Sequence, residues 1–329
     1  MKSLILFIIL FFFISCEDYY GKPVPLGDEF EDHWCPVNCN GLIGHIEASK
    51  INSNEFFIID EENVYVLGDT TARIVPLFTY LSHQLTTLTS SFLYPQRLLI
   101  GTAEGNIYYC TMNEVMTEIS TPEINNITFL SFSPLDTTTI FISDGYLLLK
   151  SSLPCTSFDT LFYNSERIVN LTIQESGEIF LTTEHNLFHS AIQDSLWDTL
   201  FVSATELIKG FTIDRKQNLY LSIHNRILKS ENGQYWSELY SDTLGNFSIA
   251  GIDDGLLLVH SEGTNVNAFK LQAEGQIHDI STGIVHNFPY LSALPLLIAV
   301  NGNRYLMSFN DGDEQESALL SFFDTLLPP

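Results

Sequence analysis

The chain has 329 residues, with 14 Lys+Arg against 40 Asp+Glu, a formal net charge of −26, and 45% hydrophobic residues. Nucleic-acid binding needs a basic footprint and attraction to an anionic bilayer needs cations, so this balance excludes both as driving forces. The apolar content is too high for a disordered acidic chain and is enough to build cores.

In chain order, the first element is Lys2 followed by an apolar run from Leu4 to Ile14. It is shorter than the roughly twenty residues of a membrane span and has the shape of a signal-peptide h-region, so residues 1–15 are set aside from the fold. The run ends in Phe13-Ile14-Ser15-Cys16, followed by Glu17-Asp18. This resembles the lipobox of bacterial lipoproteins, where a small residue precedes a cysteine that is acylated and becomes the mature N-terminus; Phe13 stands where leucine is usual. The resemblance implies palmitate-type lipidation of Cys16, anchoring stable enough to persist because more than one acyl chain inserts, and a place in the bacterial cell envelope, at the outer membrane or cell surface. The alternative is an ordinary cleaved signal with an incidental cysteine.

Residues 16–40 hold Pro23, Pro25, two glycines before residue 30 and a cluster of acids, and read as a tether to a folded body of residues 41–329. Beyond Cys16 lie Cys35, Cys39, Cys110 and Cys155. Export permits disulfides, and all three pairings stay open. No short cysteine spacing recurs as a zinc site requires, which points to a structural role.

From Gly41 onward the chain is a succession of short β runs broken by Gly, Asn, Asp and Pro turns. A unit of about forty residues repeats. Leu149-Lys150-Ser151 leads to Phe158-Asp159-Thr160-Leu161-Phe162, Phe188-His189-Ser190 to Trp197-Asp198-Thr199-Leu200-Phe201, Leu228-Lys229-Ser230 to Trp236-Ser237-Glu238-Leu239-Tyr240, and Leu306-Met307-Ser308 to Phe323-Asp324-Thr325-Leu326-Leu327. One strand type recurs at Phe56–Ile59, Leu98–Ile100, Ile140–Ile142, Ile179–Leu181, Leu219–Leu221, Leu256–Leu258 and Leu296–Ile298, each followed by a polar turn and a second strand. Four strands per unit and seven units predict an all-β, seven-bladed β-propeller, with six or eight blades as the alternatives because the first and last units are least regular. Near-continuous apolar strands suit blades buried on both faces, and closure removes sheet edges. A solenoid would need polar caps that are not seen.

Ile227-Leu228-Lys229-Ser230-Glu231-Asn232-Gly233-Gln234-Tyr235-Trp236 resembles the Asp-box hairpin of sialidase-like, sortilin-like and photosystem-assembly-type propellers. Glu231 replaces the usual aspartate and Tyr235 the threonine; Trp197 and Phe158 hold the matching aromatic place without the glycine. The resemblance implies a tight turn whose tryptophan packs between blades. It implies no activity, because such propellers host many functions.

The turns between second and third strands carry Asp60, Glu61, Glu62, Glu104, Asp144, Glu184 and Glu262. In a closed propeller these would ring one rim, a candidate site for a basic partner or for calcium, the one cofactor considered. Polar turns in an acidic protein explain the same pattern, and the opposite rim also has Asp136, Glu175, Asp214, Asp253 and Asp254. A further acidic loop with Asp311, Asp313, Glu314 and Glu316 is placed between the third and fourth strands of the last unit; it lacks the spacing of an EF-hand. His185 and His189 lie four apart with no third ligand evident. The six arginines fall at varied places in their repeats rather than converging on a carboxylate, which disfavours sialidase chemistry. No Gly-rich phosphate loop or Gly-x-Ser-x-Gly is present. With no catalytic group assembled, the sequence favours a lipid-anchored module that binds or assembles an envelope protein or extracellular polymer over an enzyme. The alternative is a surface carbohydrate binder or glycoside-processing enzyme with its ligand in the central channel, which would need two carboxylates about 5–10 Å apart.

Overall fold

A computed structural model describes residues 35–37, 43–281, 297–302, 304–310 and 317–323, apart from short segments at 53–54, 69–73, 80, 95–96, 112–113, 122–123, 195, 243–246 and 263–264. Among these residues, twenty-eight strands form seven four-stranded antiparallel sheets. The first strand, β1 (Cys35–Val37), stands apart from those that follow it. Blade one is β2 (His45–Ala48), β3 (Phe56–Ile59), β4 (Val64–Leu67) and β5 (Ile74–Phe78). Blade two is β6 (Leu85–Ser90), β7 (Arg97–Thr102), β8 (Asn106–Thr111) and β9 (Glu114–Ser120). Blade three is β10 (Phe129–Phe132), β11 (Thr139–Ser143), β12 (Leu147–Ser152) and β13 (Phe158–Tyr163). Blade four is β14 (Ile168–Ile173), β15 (Glu178–Thr183), β16 (Asn186–Ala191) and β17 (Asp198–Val202). Blade five is β18 (Ile208–Ile213), β19 (Leu219–Ile223), β20 (Arg226–Ser230) and β21 (Ser237–Ser241). Blade six is β22 (Phe247–Ile252), β23 (Gly255–Glu262), β24 (Asn265–Gln272) and β25 (Ile277–Asp279).

The chain is thus an all-β, seven-bladed propeller. The first strand of each blade lines the axis, since β2 packs against β6 and β26 (Leu297–Asn301), and β22 against β18 and β26. Second strands are buried along their whole length, as in Phe56–Ile59 and Leu219–Ile223, which is why they read as unbroken apolar runs. Outer strands such as β13, β17 and β21 are half exposed.

Blade seven departs from the sequence reading. Its order is β1-β28-β27-β26, with β27 at Arg304–Asn310 and β28 at Ser317–Phe323. Leu297 therefore opens the first strand rather than the second, and Leu306-Met307-Ser308 lies in the second rather than the third. The outermost strand comes from the N-terminal side: Cys35 pairs with Ser321, Pro36 with Leu320 and Val37 with Leu319. The propeller consequently takes in residues 35–37, ahead of the boundary at 41. The Phe323 resemblance to the outer-strand signature has no counterpart in the fold, because Phe323 ends a third strand. Residues 311–316 connect the second and third strands and lie outside the described residues.

The seam between blades seven and one is closed by polar groups as well as by packing. Asn301 Nδ2 donates to the carbonyls of Ser49 (3.3 Å), Asn52 (2.8 Å) and Glu55 (2.7 Å). Arg304 is fully buried, with Nε donating to Ser321 Oγ at 2.9 Å and Nη1 to the Gly68 carbonyl at 2.5 Å. Val37, Ala299, Leu306 and Leu319 pack there against Ile46, Phe56 and Leu67.

Elsewhere, tryptophans tie blades together. Trp197 Nε1 donates to Leu161 O at 2.9 Å and Trp236 Nε1 to Leu200 O at 3.2 Å, each reaching the outer strand of the preceding blade. Each indole also meets a phenylalanine edge-on, Trp197 with Phe162 and Trp236 with Phe201. The Ser230–Trp236 turn is tight: Ser230 Oγ accepts from Gly233 N at 2.9 Å, and Asn232 Oδ1 from Gln234 N at 3.0 Å. Gly233 has φ +75°, where a side chain is strained, and a Cβ there would lie 2.8 Å from Leu200 Cδ1 and push it aside. Cys110 and Cys155 are free, buried thiols in different interblade cores. Burial pushes the Cys110 thiol up to about 12. Cys39 lies outside the described residues.

Two substitutions test these ties. Arg304→Ala should cost about 2–4 kcal/mol, from the lost packing and a stranded carbonyl. Trp236→Phe keeps the aromatic contact, loses the donor, and should cost about 1 kcal/mol. Urea denaturation midpoints of both variants check the order of the two effects.

Candidate functional site

Two faces follow from the strand order. The upper face carries the turns between second and third strands and the connections between blades; the lower face carries the remaining turns. Every candidate rim residue sits at an upper-face turn, but their environments differ.

Asp60 is buried and committed to its own turn. Its carboxylate accepts from Glu62 N (2.9 Å), Asn63 N (2.7 Å), Asn63 Nδ2 (2.9 Å) and the Tyr65 hydroxyl (2.8 Å). The same device recurs at the lower face, where Asp214 accepts from Asn218 N and Nδ2 and from Tyr220 OH. Burial, then the Asp214 charge, pushes the Tyr220 phenol well up. Asp144 is half-buried and caps the backbone of Tyr146 and Leu147.

Glu61, Glu62 and Glu184 are exposed, and their side chains make no hydrogen bond or ion pair among the described residues. Glu104 is exposed and stands 3.5 Å from His83 Nδ1, whose Nε2 meets Glu118 at 2.9 Å. Glu262 ends β23 and pairs with Asn265 across the turn. Asp311, Asp313, Glu314 and Glu316 lie outside the described residues.

The connections between blades add carboxylates that the sequence reading missed. Glu166 accepts from Thr183 Oγ1 (2.7 Å) and Asn186 Nδ2 (3.1 Å) and meets His185 Nδ1 at 3.2 Å. The Thr183 hydroxyl, followed by the His185 charge, holds its carboxyl below the usual range. Glu206 is paired with Arg226, and Asp242 stands 3.4 Å from the buried His260. Their signal was positional: Glu166 and Glu206 fall forty residues apart in successive repeats.

His185 and His189 do not share a site, since His189 pairs with Glu178. Among the described residues, no three His, Cys, Asp or Glu side chains converge on a cation position. The seven axis-lining strands carry one carboxylate among the described residues, Glu47, which binds Lys50 at 2.8 Å and accepts from Thr89 Oγ1 at 3.3 Å. The pair of acids that glycosidic chemistry in the channel needs is not formed there. Beside Glu47, His45 Nε2 is enclosed without a hydrogen-bond partner, and burial lowers the pKa of its imidazole.

No protein-family model matches the chain, and no curated protein matches it. Solved structures resemble it in fold. A structure of YCF48 bound to D1 peptide aligns with TM-score 0.69 and 10% identity, over 90% of this chain and 97% of that one. A catalytically inactive virginiamycin B lyase from Staphylococcus aureus, solved with quinupristin, aligns with TM-score 0.66 and 13% identity over 88% and 99%. A nidogen/laminin complex aligns with TM-score 0.51 and 13% identity over 73% and 92%. At these identities the likeness establishes the propeller fold and nothing further.

His45 gives a pH prediction. Because its folded-state pKa lies below the ordinary imidazole value of 6.5, the unfolded chain takes up this proton first as pH falls. Stability is unaffected above that value and declines below it, down to the folded pKa. In His45→Gln that part of the acid loss should vanish, which thermal melts of both proteins across the acid range will reveal.

Proposed function

We propose that this chain is a lipid-anchored protein of the bacterial cell envelope whose upper propeller face binds a polypeptide partner rich in basic groups. The observation that carries this reading is the display of exposed, uncompensated carboxylates, Glu61, Glu62 and Glu184, on short turns of a rigid ring. Turns held by two flanking strands present charge with little ordering cost on binding. Complementary charge on a partner speeds encounter and fixes its orientation. The partner is an envelope or extracellular protein that presents amines and guanidinium groups.

Two kinds of support bear on it. The Phe13-Ile14-Ser15-Cys16 motif supports acylation of Cys16 after removal of residues 1–15. Propellers of similar fold have been solved with a D1 peptide, in the case of YCF48, and within a nidogen/laminin complex, so a polypeptide ligand suits this architecture. Asp60 and Asp144 serve their own turns, which leaves the three glutamates and Glu104 as the binding groups.

The test is crosslinked co-purification from native membranes. The intact chain should recover a stoichiometric partner, and Cys16→Ala should lose both membrane association and that partner. Glu61→Gln, Glu62→Gln and Glu184→Gln combined should reduce recovery several-fold and flatten its salt dependence. Undiminished recovery by the triple variant would sink the rim as the binding surface.

A further inference from the structure

We infer that the lower face of the propeller rests on the phospholipid bilayer, with its apolar turn residues in the headgroup layer and the acidic upper face directed away. The inference builds on the lipid-anchor reading and adds an orientation and a contact surface to it.

The polarity of β1 comes first. The chain passes from β27 to β28 at the upper face, so β28 runs downward from Ser317 to Phe323. Because β1 is antiparallel to it, with Cys35 opposite Ser321 and Val37 opposite Leu319, Cys35 marks the lower end. The polypeptide therefore enters the ring from the lower face. Eighteen residues separate Cys16 from Cys35, a segment that reaches about 60 Å at full extension. An acylated Cys16 is therefore joined to the lower end of the ring, which gives that face the shortest path to the membrane.

The chemistry of that face suits the contact. Ile51, Leu93, Tyr94 and Leu135 project from the first turns of blades one to three, and all are exposed. Leu196 and Tyr235 project from outer turns of blades four and five, 81% and 79% exposed. Arg97 stacks over Tyr94 with its guanidinium 4.3 Å from the ring centre, an arrangement that presents an apolar body with a polar tip, as residues at bilayer interfaces do. Three cations here pair with acids, Lys50 with Glu47, Arg215 with Asp253 and Lys216 with Asp254, while Glu175 and Asp194 on neighbouring turns stay exposed and would remain in the aqueous headgroup layer. The upper face exposes fewer large apolar side chains, Tyr146, Tyr163, Val202 and Leu207, and the chain does not enter the ring from that side.

The experiment uses the full acylated chain in phosphatidylcholine vesicles containing a headgroup-nitroxide lipid. A fluorescent non-natural amino acid is placed at Leu93 in one protein and at Glu184 in another. The expected result is loss of most of the Leu93 signal and none of the Glu184 signal. Vesicle-bound protein with equal or reversed quenching would overturn the orientation while leaving the anchor in place. Protein that fails to associate with vesicles, and behaves like Cys16→Ala, would overturn the anchor and the orientation together.

Discussion

The structure depends on burial between blades. No blade owns a core: Tyr220 and Ile227 of blade five share one with Phe247, Leu256 and Leu258 of blade six, and Phe180 and Leu187 of blade four share another with Ile208 and Phe211 of blade five. Each sheet is stable only because its neighbour covers it, and the last must therefore meet the first. At roughly 25 cal/mol per Å² of apolar surface, an open gap at any one junction would uncover several large side chains at once. The seam at blades seven and one carries this burden with the densest set of polar ties described, a buried arginine and an asparagine bonded to three carbonyls.

Because the blade walls are consumed by packing, the turns are left to carry chemistry. They do so unequally. On the lower face some acids are paired, Asp253 with Arg215 and Asp254 with Lys216, while Glu175 and Asp194 are exposed without an ion pair; on the upper face Glu206 is paired with Arg226, while Glu61, Glu62 and Glu184 stand uncompensated. Asp60 and Asp214 show that an acid in a turn can equally be structural, accepting from an asparagine and a tyrosine close behind it in sequence. The distinction between a presented carboxylate and a spent one lies in these local partners rather than in residue type.

Much of this was legible beforehand. Second strands announce themselves because both of their faces are apolar, and the Ser230–Trp236 turn because Gly233 takes a positive φ and Trp236 reaches the preceding blade. An Asn-x-Tyr a few residues after an aspartate, at Asp60, Asn63 and Tyr65 and one residue further on at Asp214, Asn218 and Tyr220, held a readable clue to the role of Asp60. What escaped was the closing strand. Cys35-Pro36-Val37 is three residues long and pairs with Leu319–Ser321 almost at the other end of the chain, and a strand that short leaves no periodicity to detect. Missing it moved the whole of blade seven by one strand and placed residues 311–316 in the wrong connection. The axis-side chemistry was also hidden, since the enclosure of His45 arises from a neighbouring blade and not from its own strand.

Strand β1 is made near the start of synthesis, whereas its partner β28 is made near the end. Blades one to six can stack on one another first, yet the ring stays open, and Val37 stays uncovered, until β28 is present to pair with β1. Such pairing of the two extremes of the chain turns completion of the polypeptide into a condition for completion of the fold. A product cut short before Ser317 has no strand on which β1 can dock, and its ring stays open. The geometry that closes the propeller thereby makes closure wait on strands from both ends of the ring.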